Sequence, residues 1–458
     1  MIIRLLVLTA VLFSLLTSDL AAQRWRLLIP VQAYTMQVNQ QDPNKLYIGN
    51  WANQLYRSDD GGASWYIKEM GSTSSVSYTT SLVVSSVDSN VIVAGGFIFI
   101  GIKRSTDGGE TWETVLRDEN QRRMWFISEA IIEDPQEPST LYAARSSTFN
   151  SVWKSTDIGA TWDSVGVIDT EITGRLCTIS ARPDSSSILY VGCQGGIIFR
   201  SDDAGVNWRQ VPVVDTALSI KEDSEIPKIV FSKRNPQIGY AVVTIASEVN
   251  IEGNGGILKT TNGGASWNRV AFSDTSFWAV EVRPTPESLV DEVVVGGFRT
   301  SRAPTSIKGD SLIYRSQDGG ETWSELMDIS WQPNELEETL QNVWVLRWDA
   351  IGEKLYMATQ LGLYVLDEET SIVDESPMAA AGLAVTVLPE AVIVRDASPL
   401  PSDRSWSIYT MGGTAVATGQ ITTPSETHVN TTSLPSGRYL LTWGSERAVR
   451  TALFTIVR

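Results

Sequence analysis

The side chains able to do chemistry in this 458-residue chain are few and unevenly placed. The single histidine, His428, excludes a His-rich metal site, and its place in the C-terminal tail leaves the main body without a Ser–His–Asp triad. Two cysteines, Cys177 and Cys193, flank the turn Arg182-Pro183-Asp184-Ser185-Ser186-Ser187 between two expected strands. Antiparallel pairing about that turn sets them nearly opposite, as a disulfide or as two free, buried thiols, and neither has the adjacent cationic or histidine partner of a nucleophile. The remaining candidates are arginines and aromatics in variable stretches: Arg122, Arg123, Arg145, Arg175, Arg299 and Arg302 with Trp51 and Trp125, near Lys308, Phe97, Phe149, Trp278 and Trp331. Such a mixture suits protein, glycan or anion recognition. The same stretches hold Glu119, Glu171, Glu252, Asp310 and Glu335. Glycoside hydrolysis needs two carboxylates about 5–9.5 Å apart, a pairing that sequence does not display.

Six more acidic or amide side chains recur at fixed spacing. An eight-residue phrase opens with Ser/Thr, carries Asp third and Gly fifth, and ends in Trp: SDDGGASW at Ser58, STDGGETW at Ser105, STDIGATW at Ser155, SDDAGVNW at Ser201, TTNGGASW at Thr260 and SQDGGETW at Ser316. The third residues are Asp60, Asp107, Asp157, Asp203, Asn262 and Asp318, and the final ones Trp65, Trp112, Trp162, Trp208, Trp267 and Trp323. One carboxylate per copy is no calcium cage, so no metal is expected there. The expected role is a tight turn in which Asp accepts from backbone N–H groups ahead of it, Gly supplies a conformation that a Cβ penalises, and Trp packs between sheets.

These turns imply the elements around them. Each unit of roughly 50 residues reads as four short antiparallel strands, the grammar of a β-propeller blade. A seventh unit, from Val343 to Leu366, has three strands and no phrase, while Arg24–Ile29 is an orphan strand. Closure by that N-terminal strand completes seven blades and removes open edges. The phrase resembles the Asp-box or BNR repeat, over about residues 24–373. The resemblance implies a propeller like those of the photosystem II assembly (stability) factors and the sialidases, boxes on one face and variable loops on the other.

The ends carry a different signal. Residues 1–22, with Arg4, an apolar run from Leu5 to Leu16, and Ala21-Ala22, read as a secretory signal peptide. The propeller is expected over 23–373, a linker over 374–382, and a small Ig-like β-sandwich over 383–458. Trp406–Gly413, Asn430–Leu441 and the basic Val457-Arg458 resemble the C-terminal sorting domain of the type IX (Por) secretion system, though Val387-Leu388-Pro389-Glu390 stands where that family has Tyr-Pro-Asn-Pro. With 36 basic against 53 acidic residues the net charge is −17, which excludes a general nucleic-acid binder. No other segment is apolar enough to cross a membrane. The expectation is an all-β, secreted or cell-surface binding or scaffold propeller without cofactor. Its partners would be an extracellular protein or glycan, and the secretion machinery of a Gram-negative bacterium through its tail. A sialidase-type glycoside hydrolase is the alternative.

Overall fold

The computed structural model describes residues from Arg24 to Ile456. Outside the description lie 52, 72–77, 98–100, 118–127, 147–149, 169–173, 215–223, 246–254, 285–289, 299–311, 327–341, 350–353 and 368–382, together with short connections in the tail. The expected leader and linker therefore fall outside the described residues.

All regular structure among the described residues is β. From Arg24 to Asp367 the strands form seven sheets. Their innermost strands are Thr35–Val38, Tyr78–Val84, Ile131–Glu133, Leu176–Ala181, Ser224–Phe231, Phe277–Pro284 and Val343–Trp348. Each packs against the next, and the seventh returns to the first, so the sheets close into a ring. Arg24–Ile29 pairs antiparallel with Leu363–Asp367, as expected, from Arg24 opposite Asp367 to Ile29 opposite Leu363. Second strands such as Leu46–Gly49 and Leu189–Cys193 are buried along their whole length because a sheet covers each face. Continuous apolar runs, rather than alternation, are the sequence form of such strands.

The phrases do what their chemistry suggests. In the first, the Ser58 hydroxyl donates to Asp60 Oδ1 at 2.8 Å, which also accepts from the Ser64 backbone N–H at 2.8 Å. Gly62 N–H donates to Ser58 Oγ, and the Trp65 indole to the Gly62 carbonyl at 3.1 Å. The pattern repeats around Asp107, Asp157, Asp203 and Asp318. Asn262 keeps it by accepting from Ser266 N–H and donating to its hydroxyl. Trp267 differs: its indole N–H meets no acceptor among the described residues, and its ring packs edge-on to Tyr190 and Phe231.

The boxes also join blades, which their sequence did not suggest. Arg57 donates to the Gly108 carbonyl, Arg104 to Ile158, Arg200 to Gly263 and the Tyr240 phenol to Gly319, in each case one blade to the next box. Box N–H groups at Gly61, Gly108 and Gly263 donate to Asn44, Asn90 and Gln237 in the turns between first and second strands. Boxes and those turns therefore share one face of the ring.

One expectation needs correction, and of the two alternatives for the cysteines one is found. The fifth sheet has five strands, not four: Val213–Val214 adds to it in parallel beside Trp267–Ala271. Pro212 has no N–H to continue its own ladder, and its carbonyl accepts from Trp267 N–H, hooking the segment onto the neighbour. Cys177 and Cys193 are both fully buried thiols and do not form a disulfide. Cys193 pairs with Leu176, and an irregularity between Leu176 and Thr178 takes Cys177 out of register. Burial raises the Cys177 thiol well above its ordinary value, which keeps it unreactive.

The tail supplies seven strands in two sheets. Leu383–Val387, Ala391–Asp396 and Glu426–Asn430 form one, and Ser405–Thr410, Ala415–Gln420, Gly437–Ser445 and Ala448–Ile456 the other. The last strand also pairs with the outer strand of blade one, Val449 opposite Trp65 and Arg450 opposite Ser64.

Candidate functional site

With boxes on one face, the innermost strands all begin at the other. A cavity of about 290 Å³ lies there, lined by Tyr34, Tyr78, Thr80, Ser128, Arg175, Glu225, Trp278 and Trp344. Every one of these stands at or close to the start of an innermost strand, and all seven blades contribute. The cavity is thus the mouth of the central channel.

Its walls are of two kinds. Blades seven, one and two supply an aromatic arc: Trp344 and Tyr34 lie 5.6 Å apart, and Tyr34 meets Tyr78 edge-on at 5.0 Å. Trp278 of blade six stands edge-on to Trp344 at 5.3 Å, with Phe298 beside both. The facing wall is polar. Arg175 of blade four bonds Glu225 of blade five at 2.9 Å, the arginine side chain 39% exposed and the glutamate 7%. Burial pushes the Glu225 carboxyl above its ordinary range, against the pull of Arg175. Backbone bridges from Trp51 to Tyr78, Gln194 to Glu225 and Phe298 to Asn342 hold these strand starts to the loop of the preceding blade.

Beneath the mouth an ionic network crosses the channel. Glu129 of blade three receives Lys228 of blade five and Arg347 of blade seven. Arg347 lies 3.6 Å from Glu281 of blade six. Gln37 of blade one donates to the Leu82 carbonyl of blade two at 2.8 Å and to Glu129, and Thr178 of blade four donates to the Glu129 carbonyl at 3.1 Å. Burial disfavours the Glu129 charge, yet Arg347 and Lys228 hold its carboxyl below the usual range. At Glu281 burial prevails and the carboxyl is raised.

Of the sequence candidates, Arg175 and Trp278 line the cavity, and Trp51 flanks it, edge-on to Tyr78 at 4.6 Å. Arg145 ends a second strand opposite Ser151 and is not among the lining residues. Arg122, Arg123, Trp125, Arg299 and Arg302 lie outside the described residues, as do Glu119, Glu171, Glu252, Asp310 and Glu335. Tyr34, Tyr78, Glu225 and Trp344 open strands, outside the variable stretches that hold the sequence candidates. Aligned on their first strands, four of the seven units place an aromatic there: Tyr34, Tyr78, Trp278 and Trp344. Among the described residues, one carboxylate, Glu225, lines the cavity, and no cluster of three His, Cys, Asp or Glu suits a metal ion.

Comparison with known proteins agrees with this architecture. The BNR/Asp-box repeat model matches residues 103–114 and 314–325, two of the six phrases. The chain is a propeller built on Asp-box repeats. A xyloglucanase from Paenibacillus sp is 24% identical over 304 residues, 55% of this chain and 26% of the relative, so the chain spans about a quarter of that protein's length. The GH74 xyloglucanase from Xanthomonas campestris superposes with a TM-score of 0.57 at 15% identity, covering 93% of this chain and 68% of that one. YCF48 from Cyanidioschyzon merolae gives 0.51 at 15% identity, covering 75% of this propeller chain and 98% of its own. At these identities the two structural likenesses concern the fold. No helix among the described residues is long and apolar enough to cross a membrane.

Proposed function

We propose that this chain is an extracellular glycan-binding propeller whose channel mouth is the recognition site. The observation that carries the reading is the juxtaposition of the Trp344–Tyr34–Tyr78 arc with the Arg175–Glu225 pair across one cavity. Flat aromatic faces take the apolar side of a sugar ring, and a few fixed polar groups orient it. In this reading residues 1–22 direct export, and the C-terminal sandwich is a type IX-like delivery element that places the propeller at the outer surface. Affinity electrophoresis in soluble β-glucans, xyloglucan, xylan and pectin tests the binding. Retardation without release of reducing ends is the expected result, and absence of retardation in every polymer refutes it.

The second reading is glycoside hydrolysis, favoured by the 24% identity to a xyloglucanase. Release of reducing ends in the same polymers would establish it.

A further inference from the structure

The charge balance and depth of the mouth narrow the ligand. We infer that it is a dead-end subsite for the terminal sugar of an uncharged glycan, and that it disfavours glycans ending in a uronic or sialic acid. This rests on the glycan-binding reading above and specifies its ligand class.

Depth comes from the network below. Glu129 reaches across the axis to blades five and seven, and Arg347 continues to Glu281. These side chains cross the axis beneath the cavity. A ligand entering along the axis must therefore present an end. The cavity of about 290 Å³ sits at the bottom of the range for small-ligand pockets, about 300–1,000 Å³. A single sugar unit fits within it.

Charge selects among ends. Arg175 is half open to the cavity, while the Glu225 carboxylate bonded to it is nearly covered. A ligand carboxylate attracted to the guanidinium is brought beside a second carboxylate whose charge burial already disfavours. An ammonium drawn to Glu225 meets the exposed guanidinium. A hydroxyl group escapes both penalties, because it accepts from Arg175 while donating to Glu225. The aromatic arc on the facing wall takes the ring's C–H face at the same time.

The test uses the full mature chain with methyl β-glucopyranoside, methyl β-xylopyranoside, methyl β-glucuronopyranoside and N-acetylneuraminic acid, read by saturation-transfer NMR and calorimetry. Saturation of the two neutral glycosides, with the acids at least about tenfold weaker, is expected, tenfold being about 1.4 kcal/mol. Trp344→Phe should keep neutral binding within a few fold, and Trp344→Ala should abolish it. Glu225→Gln removes the guarding carboxylate without changing size, and should move the glucuronide-to-glucoside ratio at least about tenfold toward the acid. A role of Glu225 in mere folding would weaken both sugars together and leave that ratio fixed, which overturns the inference. Tighter wild-type binding of either acid also overturns it. Retardation by polysaccharide that Trp344→Ala does not change would overturn this subsite while leaving glycan binding standing. Absence of all glycan binding would overturn both.

Discussion

Replacing Glu129 by glutamine probes whether the ring is locked through its axis. In the wild type, Glu129 and Glu281 balance Lys228 and Arg347, two charges against two, around a carboxylate that is itself buried. The amide keeps the shape but leaves the site with one net positive charge and two cations sharing Glu281. Removing one member of a buried ion pair costs about 3–5 kcal/mol. Channel solvent reaches Arg347 and Lys228, whose side chains are 22% and 15% exposed, which places the cost at the lower end. The expected loss is about 3 kcal/mol, roughly a hundredfold in the folding equilibrium. Guanidinium unfolding followed by tryptophan fluorescence measures it. The double variant E129Q/R347Q restores neutrality, and should recover a large share of the loss, giving a coupling energy of at least about 1 kcal/mol in a double-mutant cycle. A Glu129→Gln protein within about 0.5 kcal/mol of wild type, or strict additivity in the cycle, would refute the network as a lock.

Three further outcomes follow from named contacts. Ala204 occupies the fourth box position with φ +59°, where four other boxes carry Gly, so Ala204→Gly should stabilise by about 0.5–1 kcal/mol in chemical denaturation. Ile158 has the same strain at φ +55° but packs into the core, so Ile158→Gly should gain nothing. Hydrogen bonds to the box carboxylates hold Asp107, Asp157 and Asp318 below the ordinary Asp value. Their stabilisation is complete above the unfolded value of about 3.9 and is lost as pH falls toward the folded ones. The fifth box already folds around an amide, Asn262. Asp318→Asn should therefore flatten the acid limb of a stability–pH curve and leave neutral-pH folding intact. Finally, truncation after residue 375 should increase hydrogen exchange in peptide 64–69, because Ala448–Ile456 covers that edge through Trp65 and Ser64. Unchanged protection there would sink the docking of tail on blade.

The ring was legible because each blade repeats one local solution. Six phrases mark the turns between third and fourth strands, and the unmatched Arg24–Ile29 announces its own partner, Leu363–Asp367. Features that depend on one blade's relation to another were not legible. Cys177 and Cys193 share a hairpin, but a single irregularity in pairing separates them. Val213–Val214 crosses to the next sheet because Pro212 ends its own. The variable stretches pointed to Arg175, Trp278 and Trp51, but not to Tyr34, Tyr78 and Trp344, which open strands.

Local sequence is therefore enough for the repeating part: turns, strand order, the closing strand, and the absence of histidine chemistry from the main body. Those follow from local hydrogen bonding and from apolar runs a few residues long. What gathers at the axis depends on how the sheets come together in space. Glu129, Lys228, Glu281 and Arg347, and above them Tyr34, Arg175, Glu225 and Trp344, are separated by whole blades in the chain. Curving seven sheets into a ring brings the starts of their first strands to a common point, and no spacing along the sequence records that convergence.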